Sequence, residues 1–243
     1  MSQPELLYEG KAKSVCLSEN PGELVVIFRD DITAFDGGKN DVLSGKGAYN
    51  AAVSSFFFSY LEKNGIKTHF IKMIDENIML VRKLEMIPLE VIARNRAAGS
   101  IVKKFPFEEG QILDPPVIVT DYKDDEHHDP SLNDDIILAL GLLTRKELTY
   151  VKETTLKINR LLYDYFDELG LIFVDFKIEF GRLGDEILLG DEISMDSMRL
   201  WDKETGESLD KDVYRFEKGD VMSAYARVVE KMMCKKQMVN HEI

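Results

Sequence analysis

Between Val174 and Arg199 the chain concentrates residues able to handle a metal and an anion. Asp175, Lys177 and Glu179 alternate with Val174, Phe176, Ile178 and Phe180, and Asp191, Glu192, Asp196 and Arg199 follow. Carboxylates are hard oxygen ligands suited to Mg2+, the metal bridges phosphate oxygens, and neighbouring cations attract an anionic substrate. The competing reading is an amphipathic hairpin with a solvated charged face, the usual meaning of an isolated Asp-x-Lys-x-Glu strand. The flanks weigh against it. Glycines at 181, 184 and 190, and the single tryptophan, Trp201, near Asp196 and Arg199, are unusual for a plain exposed edge.

The elements that must position these residues can be read from periodicity. Strict alternation over residues 174–180 is the period of a strand with two unlike faces. Residues 181–185 read as a turn and 186–189 as the returning strand, with the pairing register left open. Near the N-terminus, residues 6–8 and 14–17 read as strands about a Glu9-Gly10-Lys11-Ala12-Lys13 turn. Gly10 permits close backbone approach, and Lys11 and Lys13 supply charge. The turn lacks the Gly-Lys-Ser/Thr ending of a P-loop, and taken alone it reads more readily as a basic exposed hairpin. Residues 24–28 read as a buried strand and 29–39 as a polar loop. Residues 47–64 read as a helix stopped by Gly65, followed by strands near 68–74 and 78–84.

Pro88 marks a strand start or an edge. Glu90 and Arg94 share alternation parity, so both can point into one site. Small residues beside an Arg and a Ser over 95–100 offer a phosphate cradle, with a plain turn as the rival reading. A short strand at 117–120 precedes a charged loop at 123–130. There His127 and His128 lack a third ligand at zinc spacing. Ser131 and Asp134 cap a short helix ending near Leu140. Thr144 and Glu147 form a capping box for a long helix reaching Leu169. Residues 201–219 read mostly as loop containing Arg215, and residues 220–238 as a terminal amphipathic helix.

The 243 residues suffice for one large domain or two tightly joined lobes. With 44% hydrophobic and 31% charged residues the composition is that of a globular protein. The formal net charge of -13 opposes a nucleic-acid or anionic-membrane partner. No apolar run approaches the length of a membrane span and no signal-peptide pattern opens the chain, so a cytoplasmic location is expected. Cys16 and Cys234 are expected to be reduced thiols. Strands and helices do not alternate regularly, which predicts an α+β fold with antiparallel or mixed sheets and flanking helices. Two lobes are expected, a strand-rich nucleotide-binding lobe over 1–86 and a larger mixed lobe over 87–243, with the site between them.

Two segments carry a family resemblance. The run from Ile87 through Glu90, Arg94 and Gly99 to Ser100, and the run Val174-Asp175-Phe176-Lys177-Ile178-Glu179-Phe180-Gly181, resemble the signatures of the phosphoribosylaminoimidazole-succinocarboxamide synthase (SAICAR synthetase) family. Tyr8 to Lys13, Ala34-Phe35-Asp36, Gly45-Lys46-Gly47, His128-Asp129-Pro130 and Gly190-Asp191-Glu192 through Arg199-Leu200-Trp201-Asp202 fit in the same order. Met195 departs from the pattern, which has Pro before the Asp, and is expected to loosen the loop carrying Asp196.

The resemblance implies a nucleotide cleft like those of protein kinase and ATP-grasp folds, with ATP and Mg2+. It implies an ATP-dependent joining of L-aspartate to the carboxylate of carboxyaminoimidazole ribonucleotide (CAIR), in a homodimer. It places Gly10, Lys11, Ala12 and Lys13 on the ATP phosphates, and Leu84 and Met86 at the adenine. Glu179 and Asp191 would hold the metal. Asp175, Lys177 and Asp196 would be catalytic, Asp196 by orienting Arg199. Glu90, Arg94, Ser100, Arg199 and Arg215 would bind CAIR, with Lys123, Asp129 and Asp36 as looser candidates. A small-molecule kinase is the rival enzyme class, although the His-Arg-Asp and Asp-Phe-Gly segments of protein kinases are absent. A nucleotide-binding module without turnover is the rival outside catalysis.

Overall fold

The computed structural model describes residues 5–34 and 37–241, apart from the side chains of Asp125 and of residues 236–241. In chain order the elements open with β1 (Leu6–Glu9), β2 (Lys13–Leu17), β3 (Glu23–Phe28), β4 (Asp31–Ala34), β5 (Lys39–Val42) and α1 (Lys46–Lys63). Then come β6 (Phe70–Asp75), β7 (Ile78–Arg82), β8 (Glu85–Arg96), α2 (Ser100–Lys104), β9 (Ile112–Tyr122), β10 (Ser131–Leu132) and α3 (Asp134–Ala139). The chain closes with α4 (Arg145–Glu168), β11 (Leu171–Leu183), β12 (Glu186–Gly190), β13 (Met198–Asp202), α5 (Asp212–Arg215) and α6 (Val221–His241).

Among the described residues, one five-stranded sheet has the order β1-β2-β3-β7-β6 and a six-stranded sheet the order β10-β9-β8-β11-β12, with β13 also on β11. Every pairing in both is antiparallel, and the arrangement is α+β. The sheets change over between Arg82 and Glu85. Backbone bonds join them: His69 N–H donates to the Leu189 carbonyl at 2.8 Å and Leu189 N–H to that of Lys67 at 3.0 Å. One hydrophobic core draws on both sheets, on α1 through Phe57 and Leu61, on α4 through Ile158 and Phe166, and on α6 through Tyr225 and Val228. Among the described residues no helix is long and apolar enough to cross a membrane.

Helix α4 follows its capping signal. Thr144 Oγ accepts from Glu147 N–H, and the Glu147 carboxylate accepts from Thr144 N–H at 2.7 Å. Several expectations change. Residues 29–39 are not a plain loop, because β4 and β5 pair as a hairpin there; Phe35 and Asp36 lie outside the described residues. Pro88 sits within β8, a central strand between β9 and β11. It is tolerated because the β8–β11 register shifts there, between Glu179 and Gly181, and pairing to β9 begins only at Leu89. Asn133, not Ser131, caps α3; its side chain accepts from Ile136 N–H, while Ser131 pairs in β10. The stretch 201–219 contains the end of β13 and α5.

Candidate active site

The alternation of β8 and β11 puts their charged residues on one wall of a cleft of about 440 Å³, opposite the Gly10–Lys13 turn. The register sets Arg94 across from Asp175 and Glu90 across from Glu179. The first pair is an ion pair. The second would repel across the strands; Lys177 pairs with Glu90, and Lys123 with Glu179, so each carboxylate has a cation. Asp175 and Glu179 are only 3% exposed, which overturns the solvated-face reading.

One end of the cleft is built from lysines and carboxylates. Lys13 Nζ donates to Asp191 Oδ1 at 2.6 Å and lies 3.1 Å from Glu192 Oε1. Lys123 Nζ reaches both Glu179 oxygens at 2.7 Å. Burial, and then the charge of Asp191, push Glu179 up to about 7 against the pull of Lys123. Burial also opposes the charge of Asp191, but Lys13 and Lys123 outweigh it and hold Asp191 at about 2. Asp191 has φ 56°, a left-handed backbone conformation uncommon for a residue other than glycine. A buried and a half-buried carboxylate in mutual repulsion suit a divalent cation, and Mg2+ uses one or two protein carboxylates and fills its other positions with water and phosphate. Among the described residues no group of three or more His, Cys, Asp or Glu is placed to hold a metal ion.

The other end is built from arginines. Asp175 accepts from Arg94 at 2.6 Å and from Arg199 at 2.8 Å. Asp212 accepts from Arg199 Nε at 2.8 Å and from Arg215 at 2.6 Å. Three guanidinium groups are thus strung on two carboxylates. Arg94 also donates to Ser100 Oγ and to the Ala98 carbonyl, both at 3.0 Å. Gly99, at φ 65°, lies so close to the Arg199 guanidinium that a Cβ would come within 2.5 Å of it. Planar forks held this way suit a phosphate or carboxylate of a substrate.

Residues 6–232 match the family model described as SAICAR synthetase. The chain belongs to the SAICAR synthetase family. It is 66% identical to the phosphoribosylaminoimidazole-succinocarboxamide synthase of Methanoregula boonei, over 96% of this chain and 91% of that protein. A SAICAR synthetase solved in complex with ADP aligns with TM-score 0.90 and 47% identity, covering 92% of this chain and 96% of that one. The Ehrlichia chaffeensis phosphoribosylaminoimidazole-succinocarboxamide synthase aligns with TM-score 0.92 and 42% identity, over 93% and 98%. The chain is therefore an ATP-dependent ligase of purine biosynthesis.

Within this SAICAR synthetase chain, most residues singled out from sequence line the one cleft. Gly10, Lys11, Ala12 and Lys13 stand on one side, with Glu90, Arg94, Asp175, Lys177 and Glu179 facing them. Lys123, Asp129, Asp191, Asp196, Arg199 and Arg215 complete the rim. Leu84, Met86 and Ser100 do not line it. Leu84 and Met86 pack over Gly181 and Gly190, beside the strand that carries Glu179 and the one that Asp191 follows. Ser100 starts α2 and supports Arg94.

Contrary to the expectation from sequence, Asp196 does not orient Arg199; that task falls to Asp175 and Asp212. Asp196 is instead gripped by Lys46 and Tyr225. Nor is its loop loosened by Met195, which is fully buried in the core. Sequence reasoning missed Asp212, Lys46, Tyr225 and Lys211. Asp212 looks like any surface acid in a charged loop. Gly45-Lys46-Gly47 was visible as a motif but had no partner in view.

Proposed function

We propose that this cleft joins L-aspartate to the CAIR carboxylate in two stages, with the lysine–carboxylate end handling ATP and the arginine end handling CAIR. A carboxylate is a poor acyl donor to an amine. In the first stage a CAIR carboxylate oxygen attacks the γ-phosphorus of ATP, and the bond to the ADP oxygen breaks. In the second the aspartate amine attacks the activated carbonyl, the carbon–oxygen bond to phosphate breaks, and the amine loses a proton. The products are SAICAR, ADP and phosphate.

The observation that carries this reading is the division of one cleft into two charge environments. Lys11 and Lys13 sit beside Gly10, where the backbone can approach a triphosphate. Leu84 and Met86 are the adenine contacts in this reading. Glu179 and Asp191 would hold Mg2+, which when bound neutralises phosphate charge. Lys177, paired with Glu90, and Asp175 lie on the wall where the CAIR carboxylate would react. Arg94, Arg199 and Arg215 would hold the ribose phosphate, with Ser100 fixing Arg94 and with Lys123 and Asp129 at the rim. Such work is positioning and charge stabilisation. The division into a nucleotide lobe over 1–86 and a substrate lobe over 87–243, a homodimer and a cytoplasmic location belong to the same reading. Sedimentation tests the dimer.

The test of the reaction is ADP release with ATP, CAIR and L-aspartate, each omitted in turn, with the product identified by mass. Release that needs both CAIR and L-aspartate, with an amide product, is expected. Release independent of the amine, with a phosphorylated product, would make the protein a small-molecule kinase.

A further inference from the structure

The Gly45-Lys46-Gly47 segment has no role in the reaction described above. Its geometry supplies one. Asp30 accepts from Gly45 N–H at 3.1 Å and from Gly47 N–H at 2.9 Å, closing off the start of α1. A Cβ on Gly47 would collide with the Phe28 carbonyl, so glycine lets α1 begin against the end of β3. That approach carries the Lys46 side chain, which is wholly buried, to the turn after Asp191. There its Nζ donates to Asp196 Oδ2 at 2.6 Å. From α6, the buried Tyr225 hydroxyl donates to Asp196 Oδ1 at 2.5 Å. The Asp196 N–H in turn donates to Ser194 Oγ at 3.1 Å.

Each Asp196 oxygen therefore has one protein donor among the described residues, and Asp196 lines the cleft although its side chain is only 4% exposed. A carboxylate oxygen can accept more than one hydrogen bond, so each retains acceptor capacity. A buried ion pair is a poor device for stability alone, since apolar residues of similar volume serve as well or better. Burial opposes the charge of Asp196, but Lys46 and Lys211 overcome it and hold the carboxyl well below the usual range. Burial and then Asp196 raise the Tyr225 phenol well above its ordinary value, so Tyr225 stays a donor. Lys211 lines the same wall. Burial lowers it and Asp196 is its strongest attraction. An α-amino acid presents an amino group beside a carboxylate, and an acid beside a lysine is the complement of that pair.

We propose that Lys46 and Tyr225 are positioning residues that hold the Asp196 carboxylate at the cleft wall as the acceptor for the amino group of the incoming amine. This rests on the ligase reading given above. Lys46 and Tyr225 touch no substrate; they act through Asp196.

Steady-state kinetics of the full chain with each substrate varied in turn test it. For Tyr225→Phe, which frees one Asp196 oxygen from its donor, the KM for L-aspartate should rise up to roughly tenfold, the ceiling being loss of the one charge-assisted hydrogen bond that Asp196 would make to the amine. The KM for ATP and for CAIR should stay within about twofold, as their cations are untouched. Lys46→Met should shift the same constant further; if it does not fold, Tyr225→Phe decides alone. Equal rises for all three substrates, or a lowered melting temperature with an unchanged L-aspartate KM, would overturn the proposal. Wild-type protein that forms no amide would sink the ligase reading and this inference with it. Normal wild-type turnover with an unaltered Tyr225→Phe sinks this inference alone.

Discussion

Asp212 decides how two of the cleft's arginines face, because Arg199 and Arg215 both donate to it. Asp212→Asn keeps the shape but weakens both bonds. It should reduce CAIR affinity by about 1.5–3 kcal/mol, or roughly tenfold or more, and leave ATP affinity near wild type. Titrating the variant with each ligand checks this; an equal loss for both would make Asp212 a structural residue. Glu179→Gln and Asp191→Asn should each remove most turnover, with partial recovery at raised Mg2+, since an amide lacks the charge that holds a hard cation. Unaltered Mg2+ dependence in both would return these carboxylates to a structural role. At this scale, parity along the strands was legible. Glu90 and Arg94 on β8 and Asp175, Lys177 and Glu179 on β11 share a wall because a strand's period is two. Asp212 was not legible, because nothing in its neighbourhood of sequence distinguishes an acid holding arginines from an acid in water.

Helix α4 shows the same contrast at the scale of elements. Its start was written locally, in Thr144 and Glu147, and the reciprocal bonds are present. Thr144→Ala should cost about 1 kcal/mol of stability, read as a lowered unfolding midpoint with unchanged substrate constants. The bond from Thr144 N–H, followed by the nearby Thr144 hydroxyl and Arg182, holds Glu147 below the ordinary glutamate value. A carboxylate with a depressed folded-state pKa contributes above its unfolded pKa and loses that contribution as pH falls through the folded value. Glu147→Gln should therefore differ from wild type in stability at neutral pH and converge with it in acid. A constant difference across that range would remove the charge from the explanation. Pro88 was the opposite case. Local propensity marks an edge or a strand start, yet β8 is central, and the register shift that accommodates the proline belongs to its neighbour β11.

For the molecule as a whole, the join between the two sheets passes through His69. Its backbone bonds to Leu189, and its ring packs edge-on against Phe58 at 5.1 Å. Burial lowers the His69 pKa from 6.5 to about 4, only partly offset by Asp191. The folded state therefore keeps the ring neutral while the unfolded chain takes up a proton below 6.5. Stability from this group is full above that pH and is lost as pH falls toward 4. Between pH 6.5 and 5 the protein should lose about 1.5 kcal/mol through His69. Denaturant melts of wild type and His69→Gln across that interval check it; equal slopes would exclude His69 as the source. The -13 net charge does not extend into the cleft, where eight lysines and arginines meet seven carboxylates, so the site itself does not share the overall repulsion of anions.

Composition, periodicity and short motifs determined the α+β class, the helix capped at Thr144, the two unlike faces of the charged strand and the family to which the chain belongs. These are properties of neighbouring residues, set by backbone periods of 2 and 3.6 and by side chains that reach three or four positions along the chain. Tertiary structure alone decided which charges meet. Arg94 and Asp175 are brought together by the β8–β11 register, Arg199 and Asp212 by the return of the chain after β13, and Lys46, Asp196 and Tyr225 by two helices converging on one turn. A charged side chain's partner is chosen by proximity in space and by the loss of competing water on burial. Neither quantity is carried by a residue's type or by its position in the chain.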